Sequence, residues 1–334
     1  MTALTDPTKG DGMRTLVTGG AGFIGSALVD RLAHAGHEVA VVDDLSTGRL
    51  ENLADAFASG RVQHTEVDLT GPDLAGAVAA ARPEVVYHLA AQIDVRRSVS
   101  DPLHDARVNV LGTIAVAKAA LEAGSRRLVF ASSGGTVYGE PDPSALPINE
   151  HYPPGVTNPY GVAKRSAEDY LASFAELHGL EPVSLRLGNV YGPRQDPHGE
   201  AGVVAIFCNR LLADEPVTIF GDGRQTRDYV FVEDVVDAFV AGGEHPDAPG
   251  ARLNIGTGVE TSVLELYQAL REVAGFGAEP AFAPARPGEL TRIALDCAQA
   301  GLVLGWRPKA DLADGLARTW AWAFQEVNAG SVGG

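Results

Sequence analysis

The chain of 334 residues has only two cysteines, Cys208 and Cys297, and they lie far apart in the sequence. They fit no metal-ligand spacing, and the nine histidines show none either. We therefore predict reduced thiols in a cytoplasmic protein that has no resident metal.

Long apolar runs and an excess of positive charge are also missing. No segment reaches the roughly 18 apolar residues of a membrane span, and the N-terminus has no signal-peptide apolar run. Lysine and arginine total 26 against 43 aspartates and glutamates, a formal net charge of −17. Repulsion at long range argues against nucleic acid or an anionic membrane as a partner. Small ligands are not restricted in this way, because they respond to local charge.

Strand and helix patterns alternate over the first 190 residues, after a polar stretch at 1–12 that we predict to be a flexible leader. Strands are predicted at 15–18, 38–42, 62–67, 85–89, 127–132 and 182–187, and helices at 26–35, 103–123 and 159–178. This alternation predicts an α/β fold of the Rossmann type, a doubly wound parallel sheet with helices on both faces. Ligands of such folds bind beyond the carboxyl ends of the strands.

The first predicted strand runs into a glycine turn in which Gly19, Gly22 and Gly25 have the GxxGxxG spacing. Because glycine has no side chain, the backbone of such a turn can approach a pyrophosphate at a helix N-terminus. Asp43 ends the next strand, 18 residues after Gly25, where it would accept hydrogen bonds from ribose hydroxyls and repel a 2′-phosphate. The pattern predicts NAD, although Arg49 leaves the discrimination against NADP open. The alternative is a tight packing turn without a ligand.

After Gly192 the predicted segments are shorter and less regular. Helices are predicted at 203–212, 232–241, 263–274 and 312–324, with a strand at 217–220. We divide the chain into an NAD-binding Rossmann domain at 13–190 and a smaller α/β, mainly substrate-binding portion at 191–334. The boundary is discontinuous, because some segments of the second part are expected to return to the main sheet.

Tyr160 and Lys164 are four residues apart, which places both side chains on one face of a helix. A phenol has a pKa of about 10 and needs help to lose its proton near neutrality. An ammonium about 4 Å away, at an effective dielectric of about 20, favours the phenolate by roughly 4 kcal/mol. The pair is a candidate proton-transfer base, although the same spacing occurs on ordinary surface helices.

Several polar or small residues stand at or just after the ends of predicted strands, and these ends meet at one edge of a parallel sheet. We expect them to surround a single crevice together with the glycine turn: Asp43, Asp68, Ala90, Ser133 and Asn189.

Taken together, the motifs resemble the extended short-chain dehydrogenase/reductase family, and within it the UDP-glucose 4-epimerase group. The resemblance covers about residues 14 to 325. It rests on GGAGFIG (19–25), the strand-end acid in VVDDLSTG (41–48), HLAAQ (88–92), SSGGTVYGE (132–140), NPYGVAK (158–164), NVYGPRQDP (189–197), FGDGRQTRDYVFVED (220–234) and NIGTG (254–258).

The resemblance implies an NAD-dependent isomerase that interconverts UDP-glucose and UDP-galactose through a 4-keto intermediate. NAD is then tightly bound and regenerated in each turnover. Tyr160 is the implied base, Lys164 its electrostatic partner and a ligand of the nicotinamide ribose, and Ser133 a hydroxyl bonded to the sugar oxygen. Gly134 and Gly135 follow the serine where some members have one residue fewer, so Thr136 stays open as the catalytic hydroxyl.

The resemblance also implies binding residues. Those expected at NAD are Gly19, Gly22, Phe23, Ile24, Gly25, Asp43, Asp44, Leu45, Ser46, Thr47, Gly48, Asp68, Leu69, Leu89, Ala90, Ala91, Gln92, Asn109, Tyr160, Lys164 and Leu187. Those expected at a nucleotide diphosphate sugar are Ser133, Tyr160, Asn189, Val203, Val204, Phe207, Thr218, Phe220, Arg227, Arg286 and Glu289. Arg227 and Arg286 match a diphosphate clamp, and Glu289 an acid near the uridine ribose. If they do not contact NAD, Asn109 would be an ordinary helix residue and Asp68 a helix cap. His88 is predicted to be a packed strand residue.

Related activities are weighed against this one. Sugar nucleotide 4,6-dehydratases have an Asp-Glu pair beside the active-site hydroxyl, where this chain has Gly134 and Gly135. UDP-N-acetylglucosamine and UDP-glucuronate 4-epimerases and UDP-glucuronate decarboxylases stay open. In the family, the bulk of the residue seven positions after the arginine at 286 affects whether an N-acetyl group fits, and Ile293 is of intermediate bulk.

A non-catalytic NAD-sensing protein on the same fold would be expected to lack Tyr160 or Lys164, and both are present. The resemblance implies a homodimer formed through the predicted helices at 103–123 and 159–178.

Overall fold

The computed structural model describes residues 12–198, 202–275, 279–286 and 290–331. Its strands are β1 (Arg14–Thr18), β2 (Glu38–Asp43), β3 (Val62–Glu66), β4 (Val85–His88), β5 (Arg127–Ser133), β6 (Glu181–Leu187), β7 (Asn189–Tyr191), β8 (Thr218–Phe220), β9 (Thr226–Arg227), β10 (Tyr229–Phe231), β11 (Arg252–Ile255), β12 (Thr261–Ser262) and β13 (Ala281–Ala283).

The helices are α1 (Phe23–His34), α2 (Ala54–Ala58), α3 (Leu74–Ala81), α4 (Val95–Ser100), α5 (Pro102–Ala106), α6 (Gly112–Glu122), α7 (Gly134–Val137), α8 (Pro159–His178), α9 (Val203–Leu212), α10 (Val232–Glu244), α11 (Val263–Ala274), α12 (Ala298–Leu304) and α13 (Leu312–Ser331). Short 3₁₀ segments lie at Leu50–Leu53 and Pro143–Ala145, and a π-helical turn at Arg107–Leu111.

The central sheet has, among the described residues, seven parallel strands in the order β3-β2-β1-β4-β5-β6-β11. Its first six strands follow the order of dinucleotide-binding folds, 3-2-1-4-5-6. Adjacent residues of β1 face opposite cores. Val17 packs with α1 and α10, and Leu16 packs with α3, α6 and α8. A sheet covered on both faces needs strands that are apolar throughout, which is why these strands are rich in buried valine and leucine. The predicted doubly wound sheet is confirmed.

The seventh strand, β11, comes from a part of the chain where the sequence predicted no strand. It pairs in parallel with β6, Leu253 beside Leu185 and Ile255 beside Leu187. Strand β11 lies within the second portion in sequence but extends the main sheet beyond β5 and β6, as expected for segments that return to it. The division at residue 190 itself stays a prediction.

The helix predicted at 103–123 is interrupted. Between α5 and α6 the backbone makes a π-helical turn that contains Asn109. Within it the Asn109 carbonyl accepts a hydrogen bond from Thr113 Oγ1 at 2.7 Å. The helical backbone continues through this single turn into α6, and so the sequence predicted one helix.

Helices α10 and α12 of the second portion also pack against the main sheet. Much of what remains of this portion forms a separate apolar cluster, in which α9, α11 and α13 surround β8 and β10. Three small sheets support it: β7 with β10, β8 with β13, and β9 with β12. No helix in the described part of the chain is both long and apolar enough to span a membrane.

Candidate active site

The glycine turn brings the N-terminus of α1 against the end of β4. Gly19 has a φ of +70°, and a Cβ there would lie 2.6 Å from the Ala90 nitrogen. A Cβ on Gly25 would lie 2.0 Å from the Gly19 oxygen. Gly22 occupies the N-cap of α1, so no side chain caps the helix and no acid lies in its first turn. The amides at this end can therefore receive an anionic group.

Asp43 is fixed at the side of the glycine turn by the backbone. Its Oδ2 accepts a hydrogen bond from the Ala21 nitrogen and its Oδ1 one from the Leu45 nitrogen, both at 2.9 Å. A Cβ on Gly48 would approach Oδ1 to 2.9 Å, so the backbone passes close to the carboxylate here. A carboxylate has about four acceptor positions, which leaves two for ribose hydroxyls.

Asp44 and Asp68 stabilise the loops after their strands. Ser46 donates to Asp44 Oδ1 through its nitrogen at 2.9 Å and its hydroxyl at 2.6 Å. Thr70 does the same to Asp68 Oδ1, at 2.8 and 2.9 Å. Asp68 is exposed beyond β3 and caps a turn, which resembles the capping role considered from the sequence.

Beyond β4, Gln92 and Asn109 form a paired arrangement. The Gln92 nitrogen donates to Asn109 Oδ1 at 3.0 Å, and Asn109 Nδ2 donates to the Gln92 carbonyl at 2.9 Å. Asp105 Oδ1 accepts from both side chains, from Gln92 Nε2 and Asn109 Nδ2, at 2.9 Å. Both amide hydrogens of Asn109 are thus directed within the protein, and it positions the loop beside the expected nicotinamide. The sequence predictions did not include Asp105.

Helix α8, which carries Tyr160, begins at a capping residue followed by a proline. The Asn158 side chain accepts a hydrogen bond from the Gly161 nitrogen at 2.9 Å, and Pro159 occupies the first helical position. The Tyr160 nitrogen donates to Ser98 Oγ at 3.2 Å, which joins α8 to α4.

Tyr160, Lys164 and Ser133 are brought together at the carboxyl edge of the sheet. The Ser133 hydroxyl is hydrogen-bonded to the Tyr160 phenol. Lys164 Nζ donates to the Ala131 carbonyl at 2.9 Å and lies 5.8 Å from the centroid of the Tyr160 ring. It also lies 4.8 Å from the centroid of the Phe130 ring.

The pKa values at this site differ from the expectation based on the spacing of tyrosine and lysine. Burial and the Asp105 carboxylate raise the pKa of Tyr160, and the hydrogen bond with Ser133 offsets only part of this. Burial lowers the pKa of Lys164 to about 8, although Asp105 and Glu168 oppose it. In the protein alone, desolvation therefore outweighs the attraction between phenolate and ammonium.

In the turn after Ser133, Gly134 is closely packed, whereas Gly135 has room for a side chain. A Cβ on Gly134 would lie 2.5 Å from Leu295 Cδ1, whereas one on Gly135 would lie 3.8 Å from Asn189 Oδ1 and 4.0 Å from Ser133 Oγ. Asn189 therefore stands beside the serine, as expected of residues at strand ends. Thr136 Oγ1 is buried and has no hydrogen-bond partner among the described residues.

A buried ion pair lies directly behind the candidate catalytic residues. Arg186 donates to both carboxylate oxygens of Glu168, from Nε at 2.9 Å and Nη2 at 2.7 Å. Ser132 Oγ donates to the same carboxylate at 2.6 Å. Neither charged residue was singled out from the sequence. A signal was available, because Glu168 follows Lys164 by four residues, as Lys164 follows Tyr160, and so extends the same helix face.

On the substrate side, the guanidinium carbon of Arg286 lies 3.9 Å from the centroid of the Phe220 ring. Arg227 ends β9, and its Nη1 donates to the Thr226 carbonyl at 2.8 Å. Thr218 is exposed and Val203 partly buried, whereas two other expected lining residues, Val204 and Phe207, are fully buried in the apolar cluster of the second portion. Glu289 lies outside the described residues.

Asp228, the residue after Arg227, holds this region to the main sheet. Its carboxylate accepts hydrogen bonds from the nitrogen and hydroxyl of Thr257 at 2.7 Å and from the nitrogens of Gly258 and Leu295 at 3.0 Å. The loop after β11 and the segment after residue 290 are thus fixed beside β9.

Comparison with known proteins agrees with this geometry. Residues 15–256 match the model of the NAD dependent epimerase/dehydratase family. The chain is 53% identical over 307 residues to a UDP-glucose 4-epimerase of Mycolicibacterium smegmatis, covering 92% of this chain and 97% of that protein.

Two solved structures are similar throughout. The UDP-glucose 4-epimerase of Thermotoga maritima with UDP-glucose is 43% identical, with a TM-score of 0.90 over 94% of this chain and 100% of that one. The Thermus thermophilus UDP-glucose 4-epimerase complex with NAD is 42% identical, with a TM-score of 0.84 over 93% and 99%. On this evidence, the chain belongs to the NAD dependent epimerase/dehydratase family.

Proposed function

We propose that this chain is an NAD-dependent isomerase that interconverts UDP-glucose and UDP-galactose by inverting C4 of the sugar. The observation that carries the proposal is the cluster of Tyr160, Ser133 and Lys164 at the carboxyl edge of the sheet. It lies on the same edge as the glycine turn and Asp43. The 53% identity to a UDP-glucose 4-epimerase favours this activity over the related ones.

The residues present fit NAD. The glycine turn leaves the amides of the α1 N-terminus open to a pyrophosphate, and the fixed Asp43 carboxylate suits the hydroxyls of an adenosine ribose. Bound NAD supplies reversible hydride acceptance at C4 of the sugar. Its positive charge also favours the phenolate of Tyr160, opposing the effects of burial and Asp105.

The proton is handled by the protein. Tyr160 takes it from the C4 hydroxyl as C4 becomes a ketone, and returns it after the sugar has presented its other face. Ser133, bonded to the phenol, orients Tyr160 and the sugar oxygen. Lys164, held by the Ala131 carbonyl, adds positive charge near the phenol and would also hold the nicotinamide ribose when NAD is bound.

The turn after Ser133 favours epimerisation over dehydration. Dehydration across C5 and C6 needs an acid and a base beside the hydroxyl, and this chain has glycines there. A Cβ at Gly134 would lie 2.5 Å from Leu295 Cδ1, so a carboxylate at that position would require the leucine side chain to shift.

Binding of the UDP group is assigned to the smaller portion. The guanidinium groups of Arg227 and Arg286 suit a diphosphate, because each can present two parallel donors to its oxygens. The stacking of Arg286 on Phe220 supports this placement by restricting the arginine. Ile293 is buried against Tyr138 and Leu295, and the choice between plain and N-acetylated sugars is left to experiment.

We also infer a homodimer. Apolar side chains are exposed on α4 to α6 and on α8, where two copies could form a helical interface. These are Val99, Leu103, Leu111, Val162, Tyr170 and Leu177. Sedimentation of the purified protein tests this, and a mass of one chain at micromolar concentration would contradict it.

The function is tested with purified protein and no added NAD. UDP-glucose, UDP-N-acetylglucosamine and UDP-glucuronate are supplied separately, and the anomeric protons are followed by NMR. We expect a UDP-galactose signal from UDP-glucose and none with Tyr160→Phe. If no sugar yields its 4-epimer while NAD occupancy is verified, the proposal fails. A UDP-xylose signal from UDP-glucuronate would instead indicate a decarboxylase.

A further inference from the structure

Asp105 is a buried carboxylate beside the catalytic pair to which the reaction described above gives no role. Its side chain is 1% exposed, at the end of α5 just before the π-helical turn. Oδ1 accepts two hydrogen bonds, from Gln92 and Asn109, but Oδ2 is buried without a hydrogen-bond partner among the described residues. A buried carboxylate is costly unless its surroundings compensate, so this position calls for an explanation.

Asp105 faces the turn of α8 on which Tyr160 and Lys164 lie, because residues on either side of Tyr160 line the same groove: Asn158, Pro159, Val162 and Ala163. Helices α4 and α5 pack against the first turn of α8, and Asp105 lines the groove between them with Pro102, Asn158 and Val162. The carboxylate acts electrostatically on both members of the pair from this side. Its negative charge disfavours the phenolate form of Tyr160 and favours the ammonium form of Lys164.

We propose that Asp105 is a positioning residue that sets the charge balance around Tyr160 and Lys164, and thereby the pH range in which the pair exchanges a proton with a sugar hydroxyl. The proposal rests on the proposed function of that pair. The same carboxylate holds Gln92 and Asn109, which connects the loop beside the nicotinamide position to the base.

Other charged or titratable groups occur on the elements around this end of α8: Arg96 and Arg97 of α4, His104 of α5, Arg107 of the π-helical turn, His88 of β4, Arg186 of β6, and Arg165 and Glu168 of α8 itself. Glu168 is paired with Arg186, and burial keeps His88 neutral by lowering its pKa to about 3. Asp105 is the carboxylate that raises the pKa of Tyr160.

The direction of the effect follows from the signs. The Asp105 charge raises the pKa of Tyr160 and also that of Lys164. Asp105→Asn keeps an acceptor for Gln92 and Asn109 but removes the charge, so both values should fall. Both limbs of the activity profile then move to lower pH, whereas loss of a purely structural contact would lower activity at every pH without moving the limbs.

The test that does not depend on turnover is a spectrophotometric titration of the Tyr160 phenolate. The near-ultraviolet absorbance of the holoenzyme is recorded against pH, and that of Tyr160→Phe is subtracted to isolate the Tyr160 signal. The same difference is measured in the Asp105→Asn background. We expect the midpoint to fall by about one pH unit or more, and the acid limb of kcat to fall with it. Asp105→Glu, which restores the charge, should bring both back toward the parent values.

Asp234→Asn is the matched control, because Asp234 is also a buried carboxylate but lies on α10, on the other face of the sheet. It should leave the midpoint unchanged. If Asp105→Asn does not fold, Asp105→Ser removes the same charge with a smaller polar side chain. An unmoved midpoint overturns the proposal. If the proposed function is wrong, the parent protein will be inactive although its phenolate midpoint still shifts in Asp105→Asn.

Discussion

Glu168 and Arg186 form a two-point ion pair that is buried between α8 and β6, with contacts of 2.9 and 2.7 Å. The same carboxylate accepts a hydrogen bond from the Ser132 hydroxyl, one residue before Ser133. Arg186 also donates to the Tyr138 hydroxyl at 2.8 Å, and Tyr138 in turn donates to Asn254 of β11. The helix that carries Tyr160 is thereby joined to three adjacent strands directly behind the site.

Breaking this pair should be costly. Glu168→Gln leaves the Arg186 charge buried without its counter-charge, and the free energy of unfolding should fall by about 3–5 kcal/mol. Urea unfolding measures this. Glu122→Gln makes the same change in the exposed pair with Lys118, where about 0.5 kcal/mol or less is expected. Equal losses in the two variants would contradict a structural role for the buried pair.

His88 should make stability depend on pH. Burial, with the Lys164 charge, lowers the pKa of His88 from 6.5 to about 3, so the ring is neutral in the folded protein. Thr113 Oγ1 donates to the Asn109 carbonyl and therefore accepts from His88 Nε2 at 3.0 Å, which leaves Nδ1 of the neutral ring to accept from the Thr18 hydroxyl at 2.7 Å.

Because the folded pKa is the lower one, the contribution of His88 is complete above pH 6.5 and is lost as pH falls toward about 3. The loss should approach about 1.4 kcal/mol per pH unit within that window. Urea unfolding at about pH 7.5, 6 and 5 measures it, and His88→Gln should remove this part of the slope. An unchanged slope in the variant would show that other groups cause it.

Ser133→Ala and Thr136→Val decide which hydroxyl is catalytic. Ser133 is bonded to Tyr160, so its loss should lower kcat about 100-fold, comparable to losing one donor to the reacting oxygen. Thr136 Oγ1 is buried without a partner in the described structure, and Thr136→Val should cost about tenfold or less in kcat without loss of stability. Steady-state rates and thermal unfolding of both variants check this. A larger loss from Thr136→Val would reverse the assignment.

Arg286→Lys tests the diphosphate clamp. The change keeps the charge but removes the two-pronged donor and the stacking on Phe220 at 3.9 Å. KM for UDP-glucose should rise about 10-fold or more, with a small change in kcat, since hydrogen bonds to charged groups contribute about 1.5–3 kcal/mol. Arg224→Lys, on an exposed arginine of a neighbouring loop, is the control and should leave KM unchanged. A kcat effect without a KM effect would contradict the assignment.

Much of the fold could be predicted from the sequence because it depends on local patterns. The helices at Pro159–His178, Val203–Leu212 and Val263–Ala274 have the predicted bounds. Capping residues specify two of these starts: Asn158 begins the first helix and Ser262 the third, and both accept a backbone hydrogen bond from the first turn. The glycine turn and Asp43 were likewise predicted, from their spacing in the sequence.

What the sequence by itself determined was the doubly wound parallel sheet, the edge of that sheet at which candidate site residues gather and the residue types expected to carry the chemistry. The tertiary structure decided the environment of those residues: Lys164 donates to Ala131, Asp105 accepts from Gln92 and Asn109, and Arg186 meets Glu168 across 18 residues. These contacts join segments distant in sequence, and the pKa of a buried group depends on every charge and every desolvated atom around it. Spacing along one helix therefore indicates that Tyr160 and Lys164 act together, but the packing of neighbouring elements fixes the pH at which they do so.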